Sequence, residues 1–168
     1  MRYILSDWGK DRLLFIIMNL FEEFTTIIKD LEFHRIRYAL IGAVAVAFYT
    51  EPRFTRDIDL LIDSDDYDKA KQVFEGNGYF ESASPWTFRK IPMTLHRFLK
   101  ARDEDEMIID LLLAESEEGK KIIRGALKAE SKKGTVRIAG RNDLIWLKRI
   151  RDSKQDQADI ERLTRDPD

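Results

Sequence analysis

Leu13, Ile17, Leu20, Phe24, Ile27 and Leu31 recur at helical spacing and predict one amphipathic helix within residues 1–33. Its densest part, residues 13–21, follows Lys10 and Arg12 in the manner of a secretion signal. No small-residue cleavage site follows, and the run is too short to cross a bilayer. The period then changes. Residues 38–42 read as a short strand ending on a glycine, and residues 43–50 as a small-residue helix stopped at the Glu51-Pro52 step. DIDLLID, residues 57–63, alternates like a strand, and residues 64–78 combine an acidic cap, helical apolar spacing and a glycine stop. Strands are expected over 87–91, 94–100 and 107–113, the last two joined by the polar turn 101–106. A helix over 117–130, a strand over 135–139 and helices over 141–151 and 155–163 complete the chain. The fold class is therefore α/β (α+β), a mixed sheet flanked by helices with a C-terminal helical pair. No repeat or linker divides it, so residues 1–168 form one domain: an N-terminal helix (1–33), a sheet core (34–140) and the C-terminal helices (141–168).

Composition narrows the chemistry. Hydrophobic residues make up 43% and charged residues 36%, the balance of a globular chain rather than a disordered one. With no cysteine, disulfides and thiolate zinc sites are excluded, and any metal is held by oxygen or by the two histidines, His34 and His96. These are far apart with no carboxylate motif nearby, so packed or surface roles are expected. Trp8, Trp86 and Trp146 are read as packing residues. The net charge of -2 is unevenly spread: residues 119–154 carry twelve Lys or Arg against three acids, a local +9. Such a region suits a triphosphate or an RNA backbone, but without interleaved aromatics nucleic acid is the secondary idea. No membrane partner is expected, and the setting is read as cytoplasmic.

Asp57 and Asp59 share one face of their strand, while Ile58, Leu60 and Ile62 share the other. Asp110 is the lone charge in MIIDLLL, residues 107–113. Unpaired carboxylates inside a sheet cost several kcal/mol or shift their pKa, by roughly the penalty of burying any unpaired ion. Pairing with arginines such as Arg53 and Arg56 would relieve this, and so would a bound cation. Oxygen-only ligation favours magnesium or manganese, which pair carboxylates with substrate phosphates.

LIGAVAVAFYTEPRFTRDIDLLI, residues 40–62, resembles the polymerase-beta-like nucleotidyltransferase superfamily. There a strand ends in Gly-Gly or Gly-Ser, a small-residue helix follows, and Arg-x-Thr-x-Asp-hydrophobic-Asp comes next. DLIWLKRIRDSKQDQADIERL, residues 143–163, is similar to the C-terminal motif of the branch that includes abortive-infection toxin nucleotidyltransferases. The resemblance implies an enzyme that moves a nucleoside monophosphate from a nucleoside triphosphate to an acceptor hydroxyl on RNA, a protein or a small molecule. It implies that Asp57 and Asp59 hold the metal ions, Mg2+ or Mn2+, and that Asp110 completes a second metal site and helps activate the acceptor. Gly42 and Ala43 would face the triphosphate at the start of the small-residue helix, Ala43 standing where the family has glycine or serine. Arg53 and Thr55 would reach phosphate oxygens or cap their turn. Lys148 would contact nucleotide phosphate, with Asp156 and Asp159 orienting it or capping the last helix. A toxin implies an antitoxin partner; the alternative is an inactive relative that keeps the fold as a binding protein or regulatory partner.

Overall fold

The computed structural model of the chain describes residues 14–102, 105–131 and 134–165. Helix α1 (Leu14–Phe33) leads into strand β1 (Tyr38–Ile41), short helix α2 (Gly42–Val46) and strand β2 (Asp57–Asp63). A 3-10 turn and helix α3 (Tyr67–Gly76) precede two brief strands, β3 (Phe80–Glu81) and β4 (Trp86–Thr87). The long strands β5 (Met93–Arg102) and β6 (Asp105–Ala114) are followed by α4 (Glu117–Arg124), β7 (Leu127–Ser131), β8 (Gly134–Ile138), α5 (Arg141–Arg151) and α6 (Lys154–Arg165). Leu13 and Trp8 lie outside the described residues.

One sheet holds every described strand, in the order β3-β5-β6-β2-β1-β8-β7, with β4 added on β5. The pairs β2–β6 and β1–β8 are parallel and the others antiparallel. Alternation along β2 and β6 puts Ile58, Leu60, Ile62, Ile109 and Leu111 on one face, each fully buried. Helices α1 and α3 cover that face, with Phe74 of α3 edge-on to Phe98 of β5 at 5.0 Å between ring centres. Burying side chains of this size contributes about 1.5–3 kcal/mol each, so this layer is a major source of stability. The other face carries the charges of β2 and β6, and α2 and the α5–α6 pair stand over it.

Three expectations need correcting. The helix over 117–130 ends at Gly125, and residues 127–131 instead form β7, paired antiparallel with β8. Lys121 and Arg124 close the helix, while the alternation Leu127, Lys128, Ala129, Glu130 suits a hairpin strand. The strand expected over 87–91 is only the two-residue β4, with bends after Phe88. The small-residue helix also stops early, at Val46, although backbone turns continue to Thr50.

Candidate active site

The parallel register of β2 and β6 sets Asp59 directly opposite Asp110, and Asp57 lies on the same face two residues along. Three carboxylates from neighbouring strands thus share one patch. On the far side of β6, the antiparallel register sets Arg97 of β5 opposite Asp110. Its Nε and Nη2 each donate to one Asp110 oxygen at 2.7 Å, a bidentate pair. Hydrogen bonding to Asp110 raises the Arg97 pKa further. The Asp57 and Asp59 carboxylates gain no such donor among the described residues. Burial, then repulsion from Asp110, lifts Asp57 above the ordinary carboxylate range. Burial, then Asp110 and Asp57, push Asp59 up to about 7.

Two open carboxylates on alternate residues, whose charged forms are disfavoured by their surroundings, fit a magnesium or manganese ion with phosphate and water completing its shell. Asp110 as it stands does not fit as a third ligand. Both its oxygens are bonded to Arg97, and among the described residues no three His, Asp or Glu side chains form a group able to hold a metal ion. Arg97 is the residue that the sequence reading missed. The signal was present, because the two strands expected on either side of the polar stretch 101–106, paired antiparallel about its middle, set positions 97 and 110 opposite each other.

Gly42 follows β1 and opens α2 with φ +70°, a left-handed conformation that side chains rarely adopt. A Cβ added there would stand 2.6 Å from Asp59 Cβ and nearer still to its carboxyl group. Room for Asp59 is therefore a structural reason for this glycine, beside the phosphate approach expected of it. Ala43 follows it, buried in the first turn of α2.

Behind the acids lies a second charged cluster. Lys148 of α5, 5% exposed, donates to Asp159 at 2.8 Å and to Asp156 at 3.4 Å. Arg53 reaches Asp159 through Nε and Nη2 at 3.3 and 3.2 Å, and Arg151 holds Asp156 through Nε and Nη2 at 2.7 and 2.6 Å. Ser153 and Asp156 bond reciprocally, the hydroxyl accepting from Asp156 N at 3.1 Å and the carboxylate from Ser153 N at 3.1 Å, so Asp156 also caps α6. Burial opposes ionisation of both aspartates, but the bonds from Arg151 and Ser153 to one, and from Arg53 and Lys148 to the other, hold them below the ordinary range. Three cations against two anions leave this cluster one positive charge in surplus beside the acid patch. Thr55 Oγ1 accepts from Asp57 N at 3.3 Å, so it caps the turn into β2. Arg53 and Arg56 do not neutralise Asp57 or Asp59: Arg53 is committed to Asp159, and Arg56 lies over the exposed Phe54 ring.

A cavity of about 150 Å³ connects these parts. Asp59, Asp110, Arg97, Lys148, Arg151 and Asp156 line its polar side, and Trp86, Phe88, Ile91, Leu95 and Leu147 its apolar side. Trp86, expected only to pack, stacks on Phe88 at 4.8 Å and is 56% exposed at the rim. His96 takes a packed role, bonded through Nδ1 to Glu81 at 2.6 Å on the opposite face. The basic stretch is less open than its composition implied: among the described residues Lys120, Arg124, Arg137, Lys148 and Arg151 hold acids.

The mixed sheet, its flanking helices and the C-terminal helix pair are those of a nucleotidyltransferase fold. Solved structures that share it include the following three. A nucleotidyltransferase-like protein of Thermotoga maritima has a TM-score of 0.60 at 12% identity, over 84% of this chain and 92% of that one. The lincosamide antibiotic adenylyltransferase LnuA, bound to lincomycin, has 0.55 at 17%, over 85% and 95%. ANT(2")-Ia in complex with adenylyl-2"-tobramycin has 0.56 at 15%, over 88% of each chain. At these identities the likeness is one of fold. No protein-family model matches the chain, and no curated protein matches its sequence. No described helix is long and apolar enough to cross a membrane.

Proposed function

We propose that the chain is a metal-dependent nucleotidyltransferase, moving a nucleoside monophosphate from a nucleoside triphosphate to an acceptor hydroxyl. The observation that carries this reading is the acid patch itself: Asp57 and Asp59 open, Asp110 across from them, and a cavity beside them backed by a positive cluster. Asp57 and Asp59 would hold Mg2+ or Mn2+. When bound, the ion neutralises phosphate charge and polarises the α-phosphoryl group. Lys148, fixed by Asp156 and Asp159, and Arg151 present positive charge to the triphosphate from α5, next to Gly42 and Ala43. Arg53 and Thr55 hold the chain that enters β2, so they position Asp57. In the transfer, the acceptor oxygen bonds to the α-phosphorus while the bond from that phosphorus to the bridging oxygen breaks, and pyrophosphate leaves with the electron pair. The hydroxyl proton passes to Asp110, whose oxygens each keep a lone pair beyond the one Arg97 uses.

Strand order supports a direction for the site. Gly42 lies at the β1 side, the acids on β2 and β6, and the Trp86–Phe88 wall beyond β5, so triphosphate and acceptor approach from opposite sides. A small cavity with an aromatic rim favours a compact acceptor with an apolar face over RNA or protein. A cytoplasmic setting follows from the donor, and the toxin role rests on the sequence motifs; an antitoxin-like reading frame beside the gene would support it. Incubation with labelled triphosphates, Mg2+ or Mn2+, and pools of RNA, protein and small hydroxylated molecules tests the reading. Transfer by wild type that Asp57→Asn and Asp59→Asn abolish is expected. Triphosphate binding without transfer would support the inactive binding protein, and neither binding nor transfer would remove the proposal.

A further inference from the structure

The pairing of Asp110 with Arg97 bears on how many metal ions this site takes. Arg97 is held to Asp110 by the sheet ladder, since the two residues are directly opposed in a ten-residue antiparallel pair. The pairing therefore comes from backbone register rather than from a chance rotamer. Both carboxylate oxygens are used, at 2.7 Å each. The guanidinium also lies within electrostatic reach of Asp57 and Asp59. One guanidinium and one divalent ion together balance three carboxylates, so the protein's own acids call for no second divalent ion. On Asp110 it would also have to sit against the Arg97 charge on the remaining lone pairs, or displace a bidentate, charge-assisted pair from a buried aspartate.

We propose that Arg97 takes the place of a second metal ion, so that this centre works with a single divalent cation on Asp57 and Asp59. In this arrangement Arg97 is a positioning residue: its two bonds hold the Asp110 carboxylate in one orientation, and its side chain, 45% exposed, borders the acceptor side of the cavity. The inference rests on the nucleotidyltransferase reading and specifies its metal stoichiometry. A lysine cannot reproduce the planar two-bond fork, but it keeps the charge.

The test is Mn2+ titration of the full chain, followed by electron paramagnetic resonance in the presence of a non-hydrolysable triphosphate. Wild type is expected to bind one Mn2+ per chain up to millimolar concentration, R97K one, and R97Q two, with the second ion coupled magnetically to the first. Two ions in the wild type overturn the inference while leaving nucleotide transfer standing, and so does a single ion in a folded R97Q. Should R97Q fail to fold, the wild-type count decides alone. No Mn2+ in any form, with or without triphosphate, overturns the nucleotidyltransferase reading and this inference with it.

Discussion

Replacing Gly42 with alanine tests the geometry of the acid patch most directly. Two costs arise. An L-residue held at φ +70° loses about 1–2 kcal/mol relative to glycine. The new methyl would also stand 2.6 Å from Asp59 Cβ, well inside the ~3.5–4.0 Å at which carbon atoms rest. Overpacking of this kind costs about 1–3 kcal/mol, and relief requires Asp59 to rotate or β1 to shift against β2. Together Gly42→Ala is expected to lose about 2–5 kcal/mol, which lowers Tm by roughly 5–15 °C for a chain of this size. It should also weaken Mn2+ binding at least tenfold, because Asp59 must leave the face it shares with Asp57. Thermal unfolding followed by circular dichroism, and calorimetric Mn2+ titration, measure the two effects. A variant that keeps both the melting temperature within 2 °C or so and the full Mn2+ affinity would refute the claim that this glycine makes room for Asp59.

Other perturbations separate the two charge clusters. The folded pKa of Asp59, about 7, lies above its ordinary 3.8, so metal-free protein should lose stability as pH rises from about 4 to 7 and change little above that. A shift of about three units is worth as much as ~4 kcal/mol; Asp59→Asn should remove this slope in urea titrations, and millimolar Mg2+ should offset it in wild type. Asp156 and Asp159 behave in the opposite sense: their depressed pKa values stabilise the fold above about pH 4, and that contribution falls away as acid protonates them, a loss that chemical denaturation across pH 2–5 can follow. Lys148→Met should cost about 3 kcal/mol in denaturant unfolding by leaving buried aspartates short of a partner, and Lys148→Met with Asp159→Asn should recover part of it. Trp86→Ala, at the exposed rim, should raise the KM for the acceptor several-fold while Tm stays within about 2 °C; unchanged KM would remove the aromatic wall from the acceptor site.

Much of this fold is legible in the residues because alternation and helical period are strong where one face is buried. β2 alternates from Asp57 to Leu60, β6 reads as an apolar run broken only by Asp110, α5 ends within a residue of where its apolar spacing stops, and α6 begins one residue earlier than expected. The region after Glu117 was misread because Gly125 is followed by charges that suit either helix or strand, and only the partner β8 decides between them. The shared face of Asp57 and Asp59 follows from strand period, and the position of Asp110 beside them follows from a parallel pairing that no local pattern encodes. Arg97 was missed for the same reason in reverse. Its meaning lies in antiparallel register across a turn, and a single exposed arginine on a strand looks like solvated surface until the two strands are laid side by side.

The salt link from Arg53 to Asp159 spans 106 residues of sequence. The approach to Asp57 is thus fastened by a helix that emerges from the ribosome after every described strand of the sheet has been made. A nascent chain stalled before Lys154 carries the acid patch but lacks the clasp over its entrance and the aspartates that hold Lys148. If the chain is the nucleotidyltransferase proposed above, such stalled chains are expected to bind no triphosphate, and the fold itself would delay competence until translation has passed α6.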